Sequence, residues 1–391
     1  MSLPMLASRT DKIAPFHVME LVKYASQREA DGHSVIHLSI GEPDFTAPEP
    51  VVAALNKAGQ SGQTRYTHAA GIMPLRQAIA TDYQEKWGVT VDPDNILITA
   101  GASAALTLAC AALVNPGDGV LLADPGYPCN RHFIAAFDGE PQLIPTAPAS
   151  NFQLSRDLID QHWQDNTRGV LISSPANPTG TSISTREMGN ILSGIEAREA
   201  FAIVDEIYLG LTYNDDVSTA LSHGNDIVIT NSFSKYFGMT GWRLGWLVVP
   251  PQWQPAFEKL AQNLLICASA LSQQAALACF EPESQRVFAQ RREEFKKRRD
   301  YMVPALRDIG LEIPAEPDGA FYVYADIGRF SQDSTAFAYD LLNKTGVALV
   351  PGKDFGELNS NRFIRISYAN SMDNLREAVA RLGNYLNSLN T

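Results

Sequence analysis

The sequence predicts an α/β protein. Its core is a mostly parallel, seven-stranded sheet covered by helices, and a smaller α+β domain is built from both chain ends. Three observations carry this. Between about residues 50 and 250, short apolar segments alternate with helical ones, as in a parallel sheet with crossover helices. The apolar segments are nearly continuous, as expected of strands covered on both faces. Beyond residue 257 the pattern changes to a long helical stretch, a few short strands and a closing amphipathic helix.

The segment "VIHLSIGEPDF" (35–45) holds a strand and a Gly/Pro turn, and it is assigned to the smaller domain. Seven strands come after it: "NILITAG" (95–101), "GVLLADP" (119–125), "PQLIPT" (141–146), "GVLISSP" (169–175), "FAIVDEIY" (201–208), "DIVITNSFS" (226–234) and "LGWLVVP" (244–250). "ASAALTLACAALV" reads as the helix after the first of them. "STREMGNILSGIEAREA" reads as the helix before "FAIVDEIY", and Ser184 and Glu187 have capping-box spacing at its start. The helical stretch covers about 257–309. Within it, "QRREEFKKRRD" (290–300) pairs Glu293 with Lys297 and Glu294 with Arg298 at i,i+4, which predicts a solvated helix face. "GAFYVYADI" (319–327), "VALVPG" (347–352) and "RFIRISYAN" (362–370) complete the smaller domain. The expected division is residues 48–285 for a large domain, and 12–47 plus 286–391 for the small one.

Bulk properties exclude several functions. The 391 residues carry a net charge of −12, which repels nucleic acid and anionic membranes, so neither is expected as a partner. The four cysteines, Cys110, Cys129, Cys267 and Cys279, form no C-x-x-C pair and read as free thiols in a reducing compartment. "MSLPMLASRTDKIAPF" lacks the apolar core of a signal peptide, and no 18-residue apolar span occurs. A cytoplasmic, soluble protein is expected. His33 and His37 are four apart, but "VIHLSI" reads as a strand, where that spacing makes no helical metal face, so no metal site is expected.

Ligands of such sheets sit beyond the carboxyl ends of the strands. After "NILITA" come Gly101, Ala102 and Ser103 at a helix start, suited to holding an anion on backbone N–H groups. After "GVLLADPG" comes Tyr127, able to stack on a flat ring. "NPTG" offers the amide of Asn177. "FAIVDEIY" brings Asp205 and Tyr208, and burying such an acid without a partner is costly. "TNSFSKYFGMTGWRLG" (230–245) supplies Ser232, Ser234, Lys235 and Arg243. A lone loop lysine is ordinarily solvated. Here the set describes one ligand, with a phosphate, a flat ring, a ring nitrogen that needs a proton, a ring hydroxyl and an aldehyde for an amine. That ligand is pyridoxal 5′-phosphate.

With these motifs the sequence resembles the class I/II aminotransferases of fold type I, the aspartate-aminotransferase-like superfamily. The resemblance runs from "IGEPDF" through "YTHAAG", "PGDGVLLADPGYP", "NPTG", "DEIY" and "SFSKYFGMTGWRLGW" to "RFIRISYA". It implies that Lys235 is the Schiff-base lysine and proton shuttle, and that Asp205 partners the pyridinium. It implies that Asn177 and Tyr208 bond the ring hydroxyl and that Tyr127 stacks on the ring. Ser232, Ser234, Arg243 and the backbone of Ala102 and Ser103 would form the phosphate cup. Tyr66 would reach the phosphate of the partner subunit, making a homodimer with shared active sites. Arg365 would grip the substrate α-carboxylate through its planar fork, beside Asn177 and the backbone of Gly41. Cis peptide bonds at Asn177-Pro178 and Asp124-Pro125 are further implications.

Transamination by a ping-pong cycle between an L-amino acid and a 2-oxo acid is the expected reaction. A carbon–sulfur β-lyase would use the same cofactor cup. A non-catalytic sensor domain of a transcription regulator would need a preceding DNA-binding segment, and the short, acidic context argues against one. Some aspartate-acting relatives carry a lysine in the glycine-rich turn, where Ser103 stands here. "PFHVM" (15–19) is expected on the substrate side. A neutral or aromatic donor is therefore expected, with 2-oxoglutarate or pyruvate as acceptor.

Overall fold

A computed structural model describes residues 5–15 and 18–389. Among these residues the strands are β1 (Ile36–His37), β2 (Ile96–Thr99), β3 (Gly119–Asp124), β4 (Glu140–Pro145), β5 (Thr167–Ser173), β6 (Phe201–Asp205), β7 (Val228–Ser232), β8 (Gly245–Val248), β9 (Tyr322–Asp326), β10 (Val347–Ala348), β11 (Val350–Pro351) and β12 (Phe363–Ser367). The expected seven form one sheet in the order β2-β8-β7-β6-β5-β3-β4. β8 is antiparallel to both neighbours and every other pairing is parallel.

Both sheet faces are buried, and the residues alternate between them. Ile96, Ile98, Val170, Ile172, Ala202 and Val204 belong to one core, whereas Leu97, Leu171 and Ile203 belong to the other. This explains why the strands read as continuous apolar runs. Each fully buried Val, Leu or Ile contributes about 1.5–3 kcal/mol.

The opening strand joins the C-terminal elements as expected, since β1 pairs in parallel with β10. "VALVPG" divides, and its second half, β11, instead pairs antiparallel with β12, in a sheet of order β11-β12-β9. A separate core joins Leu21, Ile36 and Leu38 to Phe321, Val323 and Ile364, and it also takes in Tyr208 from beyond β6.

Three expectations need correction. The helical stretch over 257–309 is broken into Gln254–Leu264, Ala270–Ala276, a 3₁₀ turn Leu277–Phe280, and Pro282–Asp308. Ile266 adopts a left-handed φ of 66°, and Pro282 stands in the first turn of a new helix, where its missing N–H costs nothing. The capping box forms by half. Ser184 Oγ accepts from Glu187 N at 3.2 Å, but Glu187 Oε1 accepts from Arg156 N at 2.8 Å, tying two helices together. The basic run is not a solvated face throughout. Glu293 and Lys297 are exposed, but Arg298 is buried, pairs with Asp44 at 2.7 Å and Glu294 at 3.1 Å, and lies over the Phe45 ring. Arg291 donates to Thr46 O and Arg292 to Thr212 O, both at 2.6 Å. Arg291 and Arg298 thus anchor the 42–46 turn, while Arg292 holds the segment around Thr212.

The peptide bonds before Pro125 and Pro178 are cis, and so is Ser174-Pro175, which the sequence did not suggest. The four cysteines are free, with Cys110 and Cys279 buried. His37 Nε2 meets Glu29 at 3.0 Å. No helix among the described residues is long and apolar enough to cross a membrane.

Glu206, beside Asp205, is buried. It accepts from Ala220 N at 2.7 Å and from Thr219 Oγ1 at 3.0 Å. Burial is the main cause that lifts its carboxyl from 4.5 to about 8. The folded chain then holds this proton more tightly than the unfolded one. The contribution favours folding below pH 4.5 and is lost as pH rises to about 8. Glu206→Gln should flatten the decline of Tm across that window; an unchanged slope in thermal melts would exclude the assignment.

Candidate active site

The parallel strands share one carboxyl edge, and antiparallel β8 starts where they end. One sheet edge therefore receives the residues after β2, β3, β5, β6 and β7 and those just before β8. A cleft of ≈ 910 Å³ opens there. It is lined by Gly41, Ala102, Ser103, Tyr127, Asn177, Asp205, Tyr208, Ser232, Ser234, Lys235, Arg243 and Arg365, all expected from the sequence. Tyr66 is 84% exposed and does not line the cleft of its own chain. Of "PFHVM", Val18 and Met19 line it, while Phe16 and His17 lie outside the described residues.

One end of the cleft is built for an anion. Gly101 has a φ of +83° and precedes the helix Ala102–Leu113. A Cβ there would come within 2.6 Å of Arg243 Nη2, so glycine lets the guanidinium lie against the turn. Arg243 itself holds a left-handed φ of 52°, and its Nη1 donates to Thr240 O at 3.0 Å. Ser232 Oγ donates to Ser234 Oγ at 2.9 Å. A guanidinium, two hydroxyls and the first N–H groups of a helix thus converge.

At the centre stand Asp205 and Lys235. Asp205 ends β6 and is 4% exposed. Its Oδ1 accepts from Thr230 Oγ1 at 3.1 Å and from Ile207 N at 3.3 Å, which leaves Oδ2 for a ligand. Burial raises its pKa to about 6, against the opposing hydrogen bonds and Lys235. Lys235 comes after β7 in a turn, with its side chain turned into the cleft. Its Nζ donates to Gly41 O at 2.5 Å and lies 5.6 Å from the Tyr208 ring centroid. Burial, then Arg365, lowers its pKa to about 8, against Glu42 and Asp205.

The other end holds Arg365, in β12 and 3% exposed. Nη1 donates to Asn177 Oδ1 at 2.9 Å and Nη2 to Ser39 O at 2.6 Å. The guanidinium lies between the Tyr322 and Phe355 rings, 4.5 and 4.9 Å from their centroids. Among the described residues, its Nε and the Ser39 hydroxyl are buried without a hydrogen-bond partner. Tyr127 also faces the cleft, its hydroxyl pushed to higher pKa mainly by burial.

Sequence reading did not single out Tyr322, Phe355 or Ser39. Tyr322 lies inside "GAFYVYADI", read only as a strand. A tyrosine in a fully buried strand needs a partner for its hydroxyl, and that was the available signal.

A buried acid and a lysine of lowered pKa, lining one cleft with Arg243 and Arg365 at the open edge of an α/β sheet, mark the site of an enzyme. The family profile described as aminotransferase class I and II matches residues 33–382. The chain belongs to this family. It is 41% identical over 387 residues to a valine–pyruvate aminotransferase of Mycobacterium tuberculosis, covering 97% of this chain and 100% of the relative. It is 37% identical over 386 residues to a (5-formylfuran-3-yl)methyl phosphate transaminase of Methanocaldococcus jannaschii, covering 98% and 100%. A crystal structure of an aminotransferase from Mycobacterium tuberculosis superposes with a TM-score of 0.95 at 41% identity, covering 99% of this chain and 100% of that one.

Proposed function

We propose that the protein is a cytoplasmic, homodimeric aminotransferase that uses pyridoxal 5′-phosphate to exchange an amino group between an L-amino acid and a 2-oxo acid. The carrying observation is that buried Asp205 and half-buried Lys235 line one cleft between two cationic seats. The seats suit a phosphate at Arg243 and a carboxylate at Arg365. When bound, the cofactor supplies an aldehyde for the amine and a ring that draws electrons from the substrate α-carbon once its nitrogen is protonated.

The chain's residues do the rest. Ser232, Ser234, Arg243 and the N–H groups of Ala102 and Ser103 hold the phosphate, with the partner subunit's Tyr66. Asp205 keeps the ring nitrogen protonated. Asn177 and Tyr208 orient the ring hydroxyl, and Tyr127 covers the ring. Lys235 would supply the amine that meets the cofactor's aldehyde and, once the substrate's own amine has taken its place, the free base that carries the proton to and from the substrate α-carbon. Arg365 fixes the α-carboxylate, with Asn177 and Gly41 beside it.

The cations lining the cleft among the described residues are Lys235, Arg243 and Arg365, each with one of these tasks. A second substrate carboxylate finds no further cation among them, while Val18, Met19, Val22 and Ile207 add apolar wall. A neutral or aromatic donor should therefore surpass aspartate in kcat/KM. The test is a panel of amino donors, each monitored by the cofactor absorbance change and oxo-acid release. Aspartate ahead of every neutral and aromatic donor by tenfold, about 1.4 kcal/mol, would refute the donor reading.

Arg365→Ala should raise KM for all donors alike, by about 10- to 100-fold, the scale of a charge-assisted hydrogen-bonded pair. A KM change confined to one donor class in steady-state assays would place Arg365 at the side-chain end instead.

A further inference from the structure

Tyr322 stands in β9, fully buried, and its hydroxyl meets that of Tyr208 at 2.7 Å. The two belong to different parts of the fold: Tyr208 comes after β6 of the large sheet, and Tyr322 belongs to the antiparallel β11-β12-β9 sheet. The register explains why a cation lies over Tyr322. β9 pairs with β12 so that Tyr324 faces Arg365 and Tyr322 faces Ser367. Arg365 is thus the diagonal neighbour of Tyr322, and its guanidinium sits 4.5 Å from that ring's centroid.

Two hydroxyls in contact can share only one proton along the line between them. We propose that Tyr322 is a positioning residue that donates its hydroxyl proton to Tyr208 Oη, leaving the proton of Tyr208 to point into the cleft at the ring oxygen of the cofactor. This rests on the functional reading above. The direction comes from the surroundings. The Arg365 guanidinium lies 4.5 Å from the Tyr322 ring centroid, closer than the 5.6 Å from the Lys235 amine to the Tyr208 ring, and so favours Tyr322 as the donor; Tyr208, and not Tyr322, lines the cleft, where its own proton can meet an acceptor. A chain of two such bonds polarises both, so the second donates more strongly than Tyr208 would alone. The groups facing Tyr322 are Arg365 and Glu42, and those facing Tyr208 are Tyr127, Arg365 and Lys235; Tyr322→Phe leaves all of them in place.

The test is a pH titration of the absorbance of bound cofactor in the holoenzyme without substrate. Weaker donation leaves the ring oxygen more basic, so the Tyr322→Phe midpoint should rise by about half a unit to one unit, the scale of one lost hydrogen bond. Tyr208→Phe should raise it further. The double variant should match Tyr208→Phe alone, because Tyr322 then has nothing to act through. A merely structural tyrosine would lower Tm and leave the midpoint in place. An unmoved midpoint in Tyr322→Phe, or additive shifts in the double variant, overturns the inference alone. A wild-type protein that takes up no pyridoxal phosphate overturns the functional reading and this inference with it.

Discussion

Lys235→Ala should yield a folded protein that takes up pyridoxal phosphate reversibly, while its half-reaction with an amino donor slows by about 10⁴-fold or more. The rate loss is the upper end of what one positioned proton-transfer group supplies. The fold should survive because the side chain faces the cleft and its amine donates to Gly41 O, a contact at the cleft wall. Uptake should survive because the anion seat, built from Ser232, Ser234, Arg243 and the Gly101 turn, does not involve this amine. Chemistry should fail because no other lysine lines the cleft among the described residues. The physical reason lies in the lowered pKa. At about 8 the amine is neutral in roughly a tenth of molecules at pH 7, a far larger share than an ordinary lysine offers. Borohydride treatment and then mass spectrometry should find the cofactor fixed to Lys235 in the wild type and to nothing in the variant. Near-wild-type single-turnover rates in Lys235→Ala would defeat the assignment.

Most residues of the cleft were legible because the sheet is mostly parallel, whereas Gly41 and Arg365, which lie outside that sheet, were legible only through the family resemblance. The sheet's strands end on one edge, so the residues just past each apolar run together line one site. Arg243 came with them although it precedes a strand, since β8 runs antiparallel and begins at that edge. Features that depend on packing between distant segments were not legible. Tyr322 reaches Tyr208 only because the core of the smaller sheet includes Tyr208. Arg298 looked like one member of an exposed i,i+4 pair, and its burial is the work of Asp44 and Phe45, far away in sequence. Glu187 sat at the spacing that closes a capping box, yet a neighbouring helix offered Arg156 N as a better donor. Tyr66 stays on the surface of the single chain, so its expected role can be fulfilled only by a second copy.

Asp205→Ala should slow removal of the substrate α-proton by at least about 10³-fold while cofactor uptake weakens far less. The loss is the scale of removing one fixed charge or donor from an enclosed site. Asp205 is held for this task by β6 and by two donors on one oxygen, Thr230 Oγ1 and Ile207 N, so the other oxygen can take a ring N–H. Alone in the buried edge its carboxyl is raised to about 6, which means that ionisation is costly there. A protonated ring nitrogen offsets that cost, and by the same attraction the carboxylate keeps the ring protonated. The effects are reciprocal, so the carboxyl of the loaded protein should titrate below about 6 and activity should fall as pH drops through that lower value. Without the acid, the residues lining the cleft would no longer hold a bound ring nitrogen protonated near neutral pH, and a neutral ring would draw far less charge from the α-carbon. Phosphate contacts remain, so the cofactor stays bound. Stopped-flow measurement with an α-deuterated donor decides the matter, because the isotope effect reports the proton step itself. A variant that loses less than tenfold would show that Asp205 supports the fold and leaves the ring nitrogen to another group.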